Sequence, residues 1–205
     1  MALDLDGTVA DWDAAFDAWA SITLGEEHDR AWLAAANDGG ITPRPAFLGA
    51  VRERFALDAP VETLLEDYLR LTWAHMPRLA PAVVARLEAL RAGGWKLAVV
   101  TNGEATAQAS TVEKIGLTPL LDACVVSGAV GLRKPDPRIV ELAAAECGVS
   151  LDGAWLIGDG EADIGAAAAA GITSVWLSAG REWASAAVTP DHTAPSLLDA
   201  LALVA

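Results

Sequence analysis

Short apolar runs at residues 2–5, 96–100, 123–126, 154–157 and 174–177 end abruptly in polar residues or glycine, as at Asp6-Gly7, Thr101-Asn102-Gly103 and Gly158-Asp159. Runs this short, bounded in this way, read as buried strands. Between them lie stretches with helical spacing, such as Val83, Val84, Leu87, Leu90 and Ile139, Leu142, Ala143. Several are closed by a glycine (Gly93, Gly116, Gly148, Gly171) at the expected C-terminal cap. Strand, helix, strand at this interval implies right-handed βαβ units and a parallel sheet covered on both faces, so the expected fold class is α/β.

One interval breaks the alternation. Residues 12–76 hold no convincing strand, but Trp12, Ala15, Phe16, Trp19, Ala20 follow a helical stripe, as do Phe47, Leu48, Val51, Phe55 and Val61, Leu64, Leu65, Tyr68, Leu69. This reads as a helical insert that leaves after the first strand and returns through the proline-flanked stretch 77–81, with an irregular loop around Asn37-Asp38-Gly39-Gly40 and Pro43-Arg44-Pro45. The expected organisation is a discontinuous core, 1–11 with 77–205, and a helical domain at 12–76. A length of 205 residues suits one full domain plus such an insert.

Charge narrows the function. Fourteen Lys and Arg against 28 Asp and Glu leave a net charge of -14, the wrong sign for nucleic acid or for anionic lipid. An anionic substrate would be repelled, so a bound cation or a few placed Lys and Arg must overcome the field locally. Cys124 and Cys147 stand singly in apolar surroundings and read as buried, inert thiols of a reducing compartment. No run approaches the length of a membrane helix, and acidic residues begin at Asp4, leaving no room for a signal peptide; the expected location is the cytoplasm, and the expected state a monomer or homodimer.

In an open parallel sheet, ligands bind beyond the carboxyl ends of the strands, so the residues at the C-terminal end of each apolar run carry the chemistry. The first run ends Asp4-Leu5-Asp6-Gly7-Thr8, and period-two alternation puts Asp4 and Asp6 on one side of an apolar segment, where two carboxylates imply a cation. The alternatives are an Asx turn or a fragment of a calcium loop, whose glycine and glutamate are misplaced here. Thr101-Asn102-Gly103 precedes a helix beginning near Glu104, where a hydroxyl and free amides would form an anion cradle or merely a turn and cap. In Gly131-Leu132-Arg133-Lys134-Pro135-Asp136-Pro137, the prolines hold Lys134 at a set position, able to neutralise a phosphate; otherwise it is a solvated lysine. Gly158-Asp159-Gly160-Glu161-Ala162-Asp163 mimics a dinucleotide fingerprint, but Asp163 stands at the third glycine and that reading fails. Its acids could simply complement a helix dipole. Together the four strand ends bring carboxylates, a hydroxyl with amides and one lysine to a single sheet edge, and coincidence explains that set poorly.

Asp4-x-Asp6-Gly-Thr8, the Thr101-Asn102 strand end, Lys134-Pro135-Asp136-Pro137 and Gly158-Asp159-x-x-x-Asp163, in this order and with a helical insert after the first strand, resemble the haloacid dehalogenase-like hydrolase superfamily over almost the whole chain. The resemblance implies a Rossmann-like core with an inserted α-helical cap, Mg²⁺ dependence and an aspartyl-phosphate intermediate. Asp4 matches the nucleophile and Asp6 the general acid that later activates water. Mg²⁺ would be held by Asp4, the Asp6 carbonyl and Asp159, with Asp163 supporting directly or through water; Lys134 would pair with Asp4 and the transferring group. Thr101 and the amides of Asn102 and Gly103 would bind the remaining phosphoryl oxygens. The family's dehalogenases carry tyrosine where Asp6 stands, so halide chemistry is not expected. Only Met1, Ala2 and Leu3 precede Asp4, where family members have a longer first strand, and Gly160 replaces a common serine.

The expected activity is a Mg²⁺-dependent phosphomonoesterase for a small phosphorylated metabolite. The rivals are a sugar phosphomutase of the same fold and a non-catalytic phospholigand-binding module. For specificity the loop at 39–45 offers Arg44 as a clamp for a second anionic group, with Trp12 and Phe16 as further candidates beside Trp19, Trp32 and Trp73. Trp95, Trp155 and Trp176 read as core, and His28, His75 and His192 form no ligand spacing.

Overall fold

The computed structural model describes residues 1–37 and 42–204, in two compact units: Met1–Asp11 with Arg78–Ala205, and Trp12–Pro77. Strand β1 (Ala2–Leu3) opens the first unit, and helices α1 (Trp12–Leu24), α2 (Arg30–Asn37), α3 (Arg44–Arg54) and α4 (Val61–His75) form the second. The first unit resumes with α5 (Pro81–Ala92), β2 (Ala98–Thr101), α6 (Ala105–Lys114), a 3₁₀ turn at Thr118–Leu120 and β3 (Ala123–Val126). It continues with α7 (Ser127–Val130), α8 (Arg138–Glu146), β4 (Trp155–Gly158), α9 (Glu161–Ala170), β5 (Thr173–Leu177), β6 (His192–Ala194) and α10 (Leu197–Leu203).

The sheet is parallel throughout, in the order β3-β2-β1-β4-β5-β6, as the alternating runs demand. β1 is central, with Ala2 paired to Ala98 and Leu156, and Leu3 to Val99 and Ile157. It is shorter than the apolar run at 2–5. The Asp4 amide still bonds the Ile157 carbonyl at 2.9 Å, but the Leu5 carbonyl then accepts from the amides of Thr8, Val9 and Ala10, which turns the chain off the sheet. Gly7 serves that turn at φ +74°. One sheet face is covered by α8 and α9, where Val100, Val125, Ile139, Leu156 and Ala167 pack in a single cluster. Burying side chains of this size contributes about 1.5–3 kcal/mol each.

The sixth strand was not expected. His192 and Thr193 are exposed and only Ala194 is buried, so this edge strand has no apolar run to announce it. Gly93 caps the C-terminus of α5 as expected, and Gly94 after it takes the left-handed conformation at φ +96°. Cys124 lies exposed on edge strand β3 and Cys147 is partly buried, which corrects the reading of two buried thiols. Trp176 is core, whereas Trp95 and Trp155 are only half-buried, the latter stacked on His192.

In the helical unit, Trp19, Phe47, Leu48, Val51 and Leu64 are buried together, and Trp19 meets Tyr68 edge-on with ring centroids 5.0 Å apart. Helix α2 lacked an evident stripe because Leu33 is its only buried residue. Residues 38–41, which include 39–41 of the loop assigned to 39–45, lie outside the described residues. Among the described residues, no helix is long and apolar enough to cross a membrane.

Candidate active site

Four chain segments of the core unit meet beyond the strand ends. Asp4 follows β1, Lys134 precedes α8, Asp159 follows β4, and Asp163 lies in the first turn of α9. Lys134 is 3% exposed, and its ammonium donates to Asp4 Oδ1 at 2.5 Å, Asp163 Oδ1 at 2.6 Å and the Val100 carbonyl at 2.7 Å. Three donors thus find three acceptors.

The lysine's backbone is held just as firmly. The Asn102 side chain donates to the Lys134 carbonyl at 3.0 Å and accepts from its amide at 2.9 Å. Gly165 lets α9 approach this loop, since a Cβ there would sit 3.0 Å from Pro135 Cβ.

Asp163 is also tied on its other oxygen, which accepts from the Gly160 amide at 3.0 Å. Gly158 must lack a side chain because a Cβ would lie 2.3 Å from Asp163 Cγ. At Gly7 a Cβ would lie 2.6 Å from Asp159 Oδ2. The backbone of Asp159 accepts from Trp176 Nε1 at 3.0 Å and from Arg181, whose guanidinium also reaches Asp159 Oδ2 at 3.3 Å.

Asp4, Asp159 and Asp163 each present a carboxylate oxygen within 4.8 Å of one another. Burial, reinforced by the Asp163 charge and opposed by Lys134, pushes the Asp4 carboxyl up to about 7. Asp159 is likewise raised by burial and by Asp163, against Arg181 and Lys134. Burial works against the Lys134 charge, yet Asp163 and Asp4 more than reverse this and hold it above its ordinary value. The cluster is short of positive charge, and a hard divalent cation with oxygen ligands fits that deficit.

Asp6 differs from the sequence picture. Because the strand ends at Leu3, period-two alternation does not set its direction; its carboxylate lies outside the group of three, and Oδ2 accepts from Gln108 Nε2 at 2.7 Å. The anion cradle is narrower than expected. The Gly103 amide donates to Ser127 Oγ at 3.0 Å, and the first turn of α6 is capped by the Glu104 carboxylate, which accepts from Thr106 and Ala107. Thr101, 1% exposed, remains at the end of β2 beside Asn102.

The residues proposed for specificity all lie in the helical unit. Arg44 begins α3 rather than a loop tip, hydrogen-bonds Asn37 and sits over the Tyr68 ring at 5.0 Å. Phe16 packs on Trp19, Phe47 and Tyr68, and Trp12 is half-buried at the start of α1. Trp19 is fully buried, which excludes it as a surface contact.

Sequence reasoning missed Ser127, Gln108, Trp176 and Arg181 as site residues. Ser127 directly follows the third apolar run, so the strand-end rule applied there would have found it. The others reach the site from a helix, a strand interior and a loop, with no local signature.

The model of the haloacid dehalogenase-like hydrolases matches residues 1–171. The chain belongs to that family. A phosphoserine phosphatase from Thermus thermophilus is 30% identical over 189 residues, covering 87% of this chain and 75% of that protein. A phosphoglycolate phosphatase from Agrobacterium fabrum is 28% identical over 186 residues, covering 86% and 79%. Among solved structures, the HAD-hydrolase YfnB of Bacillus subtilis, solved bound to magnesium, superposes with a TM-score of 0.76 at 19% identity over 99% of this chain and 96% of that one. This haloacid dehalogenase-like hydrolase thus has the α/β fold of its solved relatives.

Proposed function

We propose that this haloacid dehalogenase-like hydrolase is a Mg²⁺-dependent phosphomonoesterase acting on a small phosphorylated metabolite through an aspartyl phosphate on Asp4. The observation that carries the reading is the buried Asp4 carboxylate, paired at 2.5 Å with an equally buried Lys134 and flanked by Asp159 and Asp163. The names of the two relatives, a phosphoserine and a phosphoglycolate phosphatase, support the substrate class.

Lys134 engages Oδ1 of Asp4 and so leaves Oδ2 as the attacking oxygen. An Oδ2–P bond forms as the ester P–O bond breaks, and Asp6 gives its proton to the departing alkoxide. A water then attacks phosphorus and loses its proton to Asp6; the Asp4–phosphorus bond breaks and inorganic phosphate leaves. Thr101 and the Asn102 amide bind phosphoryl oxygens, and the Lys134 ammonium offsets charge developing on the transferring group. Mg²⁺, held by Asp4, the Asp6 carbonyl, Asp159 and Asp163, supplies charge neutralisation and alignment when bound.

The test is a phosphate-release screen over phosphoserine, phosphoglycolate, nucleoside monophosphates and hexose phosphates, run with Mg²⁺ and with chelator. Release that depends on Mg²⁺ and vanishes in Asp4→Asn is the expected result. Interconversion of hexose phosphate isomers without phosphate release would identify a mutase instead, and binding without turnover would identify a non-catalytic module.

A further inference from the structure

Gln108 belongs to no motif, yet it is a polar side chain only 6% exposed, projecting from α6 into the site. Its amide nitrogen donates to Asp6 Oδ2 at 2.7 Å and to the Asn102 carbonyl at 3.3 Å. Two acceptors on one side of the amide fix which end is NH₂, because an oxygen placed there would face a carboxylate and a carbonyl. Backbone space is reserved for this crossing. At Gly103 a Cβ would lie 2.4 Å from Gln108 Nε2, so no other residue fits there without displacing the amide.

We propose that Gln108 is a positioning residue of the general acid–base: it holds Asp6 by Oδ2 and so helps to set the orientation of its carboxyl group. The inference rests on the phosphomonoesterase reading and deepens it. A carboxylic acid on a turn has several side-chain orientations, and only one delivers a proton along the breaking P–O bond. An N–H donor at Oδ2 restricts that choice of orientation. In the second half-reaction the same held carboxylate accepts the proton of the attacking water, so the contact serves both steps.

The test separates proton delivery from general damage by leaving-group chemistry, since 4-nitrophenolate departs without a proton whereas an alkoxide needs one. kcat/KM is measured for 4-nitrophenyl phosphate and for an alkyl phosphate turned over by the wild type, in wild type and in Gln108→Met, which keeps length and helix propensity but has no donor. The expected loss is about 10- to 100-fold on the alkyl ester, the worth of a hydrogen bond to a charged group, and under about 3-fold on the aryl ester. A second measurement places Gln108→Met in an Asp6→Asn background, where it should cause no further loss on the alkyl ester.

Equal losses on both esters, no loss on either, or a full additional loss in the Asp6→Asn background overturns the role. A Gln108→Met chain that fails to fold also overturns it, by making the residue a packing element. Wild type that hydrolyses neither ester refutes the phosphomonoesterase reading itself, a result distinct from all of these.

Discussion

Replacing Lys134 by methionine removes the ammonium shared by Asp4, Asp163 and the Val100 carbonyl. Methionine fills nearly the same volume, so the loss is mainly electrostatic. Asp4 and Asp163 are only 7% and 3% exposed, and removing one partner of a buried ion pair costs about 3–5 kcal/mol because the remaining charge is stranded. Set against the roughly 5–15 kcal/mol that holds a domain folded, this is a large share.

The deficit depends on pH. With Lys134 present the Asp4 carboxyl already sits at about 7, and losing the cation that opposes this rise sends it higher. In the unfolded chain it returns to the ordinary carboxylate value, so the folded chain keeps a proton that the unfolded chain releases. The associated stability is full below that ordinary value and drains away as pH rises through 7 and above. Urea unfolding in chelator should show Lys134→Met about 3–5 kcal/mol less stable than wild type near pH 8, and roughly half as deficient near pH 5.5. A deficit under about 1 kcal/mol near pH 8, or an equal deficit at both pH values, refutes the reasoning.

In the metal-free wild type the same logic, from Asp4 and Asp159 together, makes stability fall between about pH 4 and pH 7, and Asp4→Asn should flatten that fall while raising the melting temperature near pH 8; an unchanged slope on calorimetry counts against it. Gly158→Ala drives a methyl group into Asp163 and should cost about 1–3 kcal/mol along with the contact to Lys134, checked by thermal unfolding and by phosphate release. Arg44→Ala removes the Asn37 hydrogen bond and the stacking over Tyr68, and should cost about 1–2 kcal/mol of stability by denaturant titration, with no change refuting the packing role.

The sheet was legible because parallel strands are buried on both faces and so read as continuous apolar runs, as at Val99 and Val100. β6 was not, because an edge strand with exposed His192 and Thr193 has no such run. At the site, the strand-end rule reached Asp4, Thr101 and Asp159, and proline geometry reached Lys134. What it lacked was occupancy. A free amide at a helix start looks the same in sequence whether or not a neighbour has taken it, and here Ser127 takes that of Gly103 while Glu104 takes those of α6. Gln108 and Arg181 escaped for a related reason: each meets its carboxylate only through the tertiary fold.

β1 lies mid-sheet, between strands that begin at Ala98 and Trp155. During synthesis it must therefore wait for both. At about 5–20 residues per second, the segment carrying Asp4 spends several seconds or more without its second neighbour. The order of emergence then matters for charge. Lys134 is translated after Asp4 but ahead of Asp159 and Asp163, so the ammonium is available before the last two acids of the cluster exist. The nascent chain never has to gather three carboxylates before the cation that offsets them has been made.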